Sequence, residues 1–276
     1  MARFVLTNRD DTFDSRDEWG WHDGSRVLGG NGDDDIRVFG DANVVSGDNG
    51  QDVLVAFGDG NTLDGGNGKD VLRVFGDDNR LSGGNGVDLL VANGEGNLLD
   101  GGNGADRLLS ISQGRFGEVG EGNVLTGGHA FDSFTLNNRS DLRVLNDFHL
   151  EPGTSLGGPG PYAGIGVVSE GDIIVGVMDE ITDYTTGERV RIGAHQEASA
   201  PVGLNGAGLG PKHLDLADGE YAFIRGDQIA NGRFEVDGAG GDLLLVYDAS
   251  GGGDALFLQG AVVLQGVTDP DSVFIA

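Results

Sequence analysis

Between residues 29 and 148, apolar and polar positions alternate in short runs, and each run recurs eighteen positions later. IRVF (36–39), LVAF (54–57), LRVF (72–75) and LVAN (90–93) alternate with period two, the signature of a half-buried strand. The alternation predicts one inward column of Ile36, Leu54, Leu72, Leu90, Leu108 and Phe134. A second column follows from Val45, Leu63, Leu81, Leu99 and Leu125. Turn residues bound every run. On one side they read GGNGDD (29–34), GDNGQD (47–52), GGNGKD (65–70), GGNGVD (83–88) and GGNGAD (101–106). GGHAFD (127–132) follows after an eight-residue insertion, ISQGRFGE (111–118). On the other side they read FGDAN (39–43), FGDGN (57–61), FGDDN (75–79), NGEGN (93–97) and VGEGN (119–123). Eighteen residues thus make one coil with two strands and two edges, and a fixed period of this kind predicts a stacked array. The fold class expected is all-β: a parallel β-roll, followed by a smaller β-rich C-terminal region. One coil cannot bury its own apolar face, so stacking of neighbours has to supply the core.

The sixth position of the first-edge turns is an uninterrupted acidic column: Asp34, Asp52, Asp70, Asp88, Asp106 and Asp132. Stacked coils are spaced about 4.8 Å apart. Neighbouring carboxylates then repel by about 0.8 kcal/mol in a water-like dielectric and by roughly 3 kcal/mol at an effective dielectric of 20. Summed along the column, roughly 4–17 kcal/mol is comparable with a whole domain's stability. Such a column calls for cations between its members. Calcium fits, because it takes carboxylate and carbonyl oxygens in flexible geometry. The glycine-rich backbone can supply the carbonyls. The candidate ligand set is therefore the six aspartates with the backbone of Gly30, Gly32, Gly50, Gly66, Gly68, Gly84, Gly86, Gly102 and Gly104, holding four or five calcium ions on one edge. Glycines at the first, second and fourth turn positions are expected to supply positive φ. The second edge carries Asn43, Asn61, Asn79, Asn97 and Asn123 instead. Its uncharged amides favour a hydrogen-bonded ladder over a second calcium row. Asp41, Asp59, Asp77, Glu95 and Glu121 form a further acidic column two positions earlier.

The turn-and-strand unit, GGNGKDVLR in 65–73, resembles the nonapeptide of RTX, or haemolysin-type, calcium-binding β-rolls. The resemblance covers residues 5–148 and includes the closing GGHAFDSFTL. It implies repeats that fold on binding Ca2+ outside the cell after export by type I secretion machinery, which reads an uncleaved C-terminal signal. VVLQGVTDPDSVFIA (262–276) is similar in character to such a tail. The chain is accordingly expected to be secreted and extracellular.

Composition narrows the partners. With 45 acidic and 17 basic residues, the chain carries a formal charge of −28. Nucleic acids and anionic membranes are disfavoured, and cations are favoured. Glycine is frequent, 53 of 276, yet periodic, which argues for structure rather than disorder. Without cysteine there is no disulfide framework and no thiolate metal site. No apolar run reaches the roughly 18–20 residues of a membrane span, and MARFVLTNRDDTF has no apolar signal-peptide core.

Three regions follow. Residues 1–28 read as a cap and imperfect coil, with TNRDDTFD (7–14) a degenerate turn. Residues 29–148 are the roll. Residues 149–276 read as β-rich, with strands at DIIVGV (172–177), RVRIGAH (189–195), YAFIRG (221–226), RFEVDG (233–238), DLLLVYD (242–248) and ALFLQGAVVLQGV (255–267), a loop at 156–166 and a hairpin connection at 248–255. One outer face of the roll is apolar, with Val53, Val55, Phe57, Val71, Phe75, Leu89 and Val91. It is read as covered by the C-terminal region, with a dimer interface as the other reading. No two of His22, His129, His149, His195 and His213 sit at metal-ligand spacing, and neither HExxH nor GxSxG occurs. The sequence therefore supports no catalytic assignment. A small secreted enzyme with its site in 149–276, around His195 and Glu197 or Asp215 and Glu220, is the alternative to a binding or structural module.

Overall fold

The computed structural model describes residues 2–16, 23–112, 120–137, 142–144, 173–192, 196–197, 203–205, 212–216, 220–230, 232–248 and 259–276. Strands β1 (Arg3–Val5) and β2 (Thr12–Asp14) open the roll. The regular coils contribute β3 (Arg26–Asn31) with β4 (Asp35–Phe39), β5 (Val44–Asn49) with β6 (Val53–Phe57), and β7 (Thr62–Asn67) with β8 (Val71–Phe75). Next come β9 (Arg80–Asn85) with β10 (Leu89–Asn93), β11 (Leu98–Asn103) with β12 (Arg107–Ile111), and β13 (Gly120–His129) with β14 (Ser133–Leu136). Odd-numbered strands stack in parallel in one sheet and even-numbered strands in the other, each residue facing its equivalent in the next coil. Ile36 lies over Leu54, and Val45 over Leu63. The fold is all-β with long parallel sheets, consistent with a parallel β-roll and distinct from a closed barrel.

Both predicted apolar columns form the core. Ile36 to Phe134 and Val45 to Leu125 are no more than 1 % exposed. A thinner column of Val38, Ala56, Val74 and Ala92 fills the space beside the second edge.

Beyond the repeats lie β15 (Arg143–Val144), β16 (Ile173–Val175), β17 (Val177–Ile181), β18 (Arg189–Arg191), β19 (Gln196–Glu197) and β20 (Gly203–Asn205). They are followed by β21 (Lys212–Asp215), β22 (Glu220–Ala230), β23 (Arg233–Val236), β24 (Asp242–Asp248), β25 (Gln259–Leu264) and β26 (Phe274–Ile275). The loop at 156–166 and most of the connection at 248–255 lie outside the described residues, as does 113–118 of the insertion. The parallel stacking continues past residue 148: β17 pairs with β13, β25 with β17, β18 with β14, and β26 with β18. Strands β22, β23, β24 and β25 then pair antiparallel and carry a second apolar cluster around Phe234, Leu244 and Val263.

The expected covering of the outer apolar face is not provided by the described C-terminal strands. The described C-terminal strands stack on the end of the roll, where unpaired backbone groups of the last coil need partners. Val53, Val55, Val71, Leu89 and Val91 stay half-buried on the side of the roll. Phe39, Phe57 and Phe75 form a stacked column with ring centroids 4.7 and 4.9 Å apart. Arg16 lies over the Phe39 ring, and exposure reaches 39 % at Phe75.

Candidate metal centre

The first-edge aspartates point into the turns rather than out to solvent. All six are at most 2 % exposed. In each, Oδ1 accepts the backbone N–H of the equivalent residue one coil earlier, at 2.7–2.8 Å: Asp34 donates to Asp52, Asp52 to Asp70, and so on to Asp106 and Asp132. The bond recurs with the coil period because the residues stack in register. The second oxygen, Oδ2, is buried without a hydrogen-bond partner in Asp34, Asp52, Asp70, Asp88, Asp106 and Asp132.

Gly47 and its equivalents explain where that oxygen goes. A Cβ built on Gly47 would collide with Asp52 Oδ2 and with the carbonyl of Gly65 in the next coil. The same two kinds of oxygen crowd the missing Cβ at Gly29, Gly65, Gly83 and Gly101. So the first turn glycine is required for space. Positive φ, expected at the first, second and fourth positions, occurs at the second and fourth, as at Gly66 (98°) and Gly68 (142°), but not at Gly65. The strand register also passes over this first glycine. A carbonyl of the following coil, from Gly47, Gly65, Gly83, Gly101 or Gly127, thus shares the space beside a first turn glycine with the orphaned Oδ2. The glycines singled out from sequence stack closely on one another: Cβ positions on Gly50, Gly68, Gly86 and Gly104 meet the carbonyls of Gly32, Gly50, Gly68 and Gly86, and those on Gly84 and Gly102 meet Gly66 and Gly84. Gly30 lies over Thr7.

The column is longer than its repeat signature. Asp11 opens it, donating its N–H to Asp34 Oδ1, and Glu188 closes it one coil beyond Asp132. Both ends have their spare carboxylate oxygen satisfied. Asp11 Oδ2 accepts from the N–H and hydroxyl of Thr7, each at 2.7 Å, and Glu188 Oε2 accepts from the Thr185 N–H at 2.8 Å. Sequence reading noticed the degenerate turn holding Asp11 but missed Glu188. Its signal is the alternation Glu-Arg-Val-Arg-Ile (188–192), which matches Asp-Arg-Leu-Leu-Ser (106–110) with only Gly187 in place of a GGNG turn before it.

Burial raises the carboxyl pKa values. Desolvation pushes Asp52, Asp70 and Asp106 up to about 6 and Asp132 up to about 7, with neighbouring carboxylates adding to it. Asp34, Asp88 and Glu188 are raised by the same cause. An oxygen that can only accept, held in a dry site, needs a proton or a cation. The local donor set, one carboxylate oxygen and one carbonyl per coil, is hard and suits calcium better than a soft metal. Among the described residues, no three His, Asp or Glu side chains converge as a ready metal cluster. Any ion here would draw on backbone oxygens.

The second edge uses the same bond with different atoms. Asn43, Asn61, Asn79 and Asn97 donate their N–H to the Oδ1 of the next Asn, and Asn123 donates to Asp179 Oδ1, at 2.7–2.9 Å. Their amide groups close the ladder: Asn79 Nδ2 donates to Asn97 Oδ1, Asn97 Nδ2 to Asn123 Oδ1, and Asn43 Nδ2 to the Gly40 carbonyl. The exposed acidic column caps turns, since Asp41, Asp59 and Asp77 accept the N–H of Asp59, Asp77 and Glu95. The side chain of Glu121 lies outside the described residues. A third ladder escaped sequence reading. Asn31, Asn49, Asn67, Asn85 and Asn103 join amide to amide along the outside of the first edge at 2.8–3.0 Å. Its signal was the Asn at the third turn position.

Of the histidines, His22, His149 and His195 lie outside the described residues, and His129 is exposed in the last glycine turn. His213 falls in β21, with Asp215, and Glu197 in β19, but their side chains are not among those described. Glu220 opens β22, which pairs in parallel with β19, Gln196 facing Glu220 and Glu197 facing Tyr221. No helix among the described residues is long and apolar enough to cross a membrane. Comparison with protein-family models and with curated proteins finds no match to the chain.

Proposed function

We propose that this chain is a secreted, calcium-binding RTX-type protein whose repeats fold on binding Ca2+ outside the cell, after type I export, and which acts as a binding or structural module. One observation carries the reading. Six stacked, buried carboxylate oxygens lack partners, while the two members that end the column are satisfied by threonine. A column designed only for turn geometry would place Asn at those six positions, as the second edge does. Asp34 to Asp132, with the carbonyls of the first turn glycines, would hold the ions, and bound calcium would supply positive charge between coils. Metal binding free energy then becomes folding free energy.

In chelator the chain is expected to lose most of its β signal in far-ultraviolet circular dichroism. It should regain that signal at about 0.1–1 mM calcium, the range of extracellular modules. Spectra that are the same in chelator and in millimolar calcium would sink the proposal. Export makes a second demand. Val262, Val263 and Leu264 are fully buried between β17 and β24, so a C-terminal signal has to be read before β25 docks. Deleting Val262–Ala276 should abolish secretion through a type I exporter. Undiminished secretion of the truncated chain would refute the export part alone.

A further inference from the structure

The outer face of the even-numbered sheet ends in a cluster of arginines that the calcium reading does not use. Arg107 on β12 and Arg189 on β18 lie in one register row, on either side of Ser133 on β14. Strand spacing sets them roughly 9–10 Å apart. Arg191 lies in the next outward row, beside Thr135. All three arginines are exposed, and with Ser133 and Phe131 they line an open cleft of about 620 Å3.

Two features mark this cleft. Three arginines gather in one place on a chain with 45 acidic and 17 basic residues. Among the described residues the ion pairs are Arg16 with Asp14 and Arg37 with Asp35, and none of the three cleft arginines has one. The second feature is apolar. Phe131 is 68 % exposed and Phe274 53 %, the former lining the cleft and the latter lying under the Arg189 guanidinium at 5.8 Å. A strongly acidic protein that keeps three guanidinium groups unpaired beside an exposed ring has the parts of an anion receptor. Guanidinium groups recognise phosphate through paired N–H donors.

We propose that this cleft binds a small phosphate monoester, with Arg107 and Arg189 gripping the phosphate across Ser133, Arg191 adding charge from the next row, and Phe131 carrying the apolar part of the ester. A soluble ligand is favoured over a lipid headgroup. A membrane bearing many anions would meet the whole −28 charge of the chain, whereas a small ion within a Debye length of about 8–10 Å senses only the local charges, the three arginines and the ion-bearing column beneath them. The cleft is also lined by Asp106 and Asp132 of the carboxylate column, so the inference rests on the calcium reading, in which bound cations offset those charges.

The test is calorimetric titration of the full chain with phenyl phosphate and with inorganic phosphate. It is run in millimolar calcium, and again in chelator if the β signal survives there. Saturable binding of phenyl phosphate at one site is expected. Arg107→Gln and Arg189→Gln should each weaken it at least tenfold, while Arg73→Gln, a lone arginine on the same face, should stay within twofold. Phe131→Ala should weaken phenyl phosphate but leave inorganic phosphate unchanged. Circular dichroism of each variant checks that the roll is intact. Absence of saturation, or wild-type affinity in both cleft variants, overturns the proposal. So does retention on phosphatidic-acid vesicles without binding of phenyl phosphate.

Discussion

The two edges of the roll solve one problem with two side chains. On each edge a planar group reaches across to the preceding coil and takes its backbone N–H, at 2.8 Å for Asp70 and 2.7 Å for Asn79. Up to that bond Asp and Asn are interchangeable. The second atom decides the rest. The Asn Nδ2 donates and finds an acceptor within the turn or the next amide, whereas the Asp Oδ2 can only accept and finds no donor. As far as Asn123 the amide edge is therefore nearly complete as a stack of chain, whereas the carboxylate edge, like Asp179 at the end of the amide column, keeps a buried oxygen that can only accept. Asn61, whose Nδ2 also lacks a partner, is an exception that costs less, because an unpaired amide is neutral.

Exchanging the edges breaks or sharpens this contrast. Asn79→Asp puts a new charge in a closed ladder, against Asn97 Oδ1, and should destabilise the metal-free chain by about 3 kcal/mol. Asp70→Asn should do the opposite in chelator, stabilising by about 1–3 kcal/mol as a buried orphan acceptor is removed. It should also reduce the number of calcium ions bound. Residual β signal in chelator, which reports the metal-free folded fraction, followed by calcium calorimetry of both variants, reads the pair. Two destabilisations of equal size would mean that the edges are equivalent.

The pH dependence is a smaller effect of the same contrast. Asp52, Asp70, Asp106 and Asp132 have folded pKa values raised to between about 6 and about 7. The folded chain then holds protons that the unfolded chain has released, so their contribution is fully present below about pH 3.8 and is lost as pH rises through about 6 to 7. Metal-free protein should be more stable at about pH 5 than at about pH 8. Calcium affinity should climb over the same window, because cation and proton compete for one oxygen. A metal-free stability that rises with pH would contradict the orphan assignment. Least sensitive of all should be the exposed amide ladder. Asn67→Ala removes two solvent-facing bonds, to Asn49 and Asn85, and should shift stability by less than about 0.5 kcal/mol. Thermal melts in calcium would detect a larger role.

The repeats were legible because each residue in them is repeated at the same offset. A column seen in the sequence is a column in space once parallel coils stack, so the core, the Asp column and the second-edge Asn ladder could all be read from spacing. Even within the repeats, the direction of a side chain was harder to read. The aspartates look like outward turn residues, and only the crowding at Gly47 and Gly65 shows that they turn inward.

What the sequence determined by itself was the period, the two edges, the inward apolar columns and the acidic balance that favours cations, because each depends on local alternation and count. Tertiary structure decided what ends each ladder and what gathers at the end of the roll. Thr185 and Glu188 finish the carboxylate column, Asp179 finishes the amide column, and Arg189 and Arg191 join Arg107. These partners pair across offsets of 56 residues rather than 18. No repeated motif marks such a pairing, and only the docking of β17 and β18 onto the last open coil brings those side chains into register.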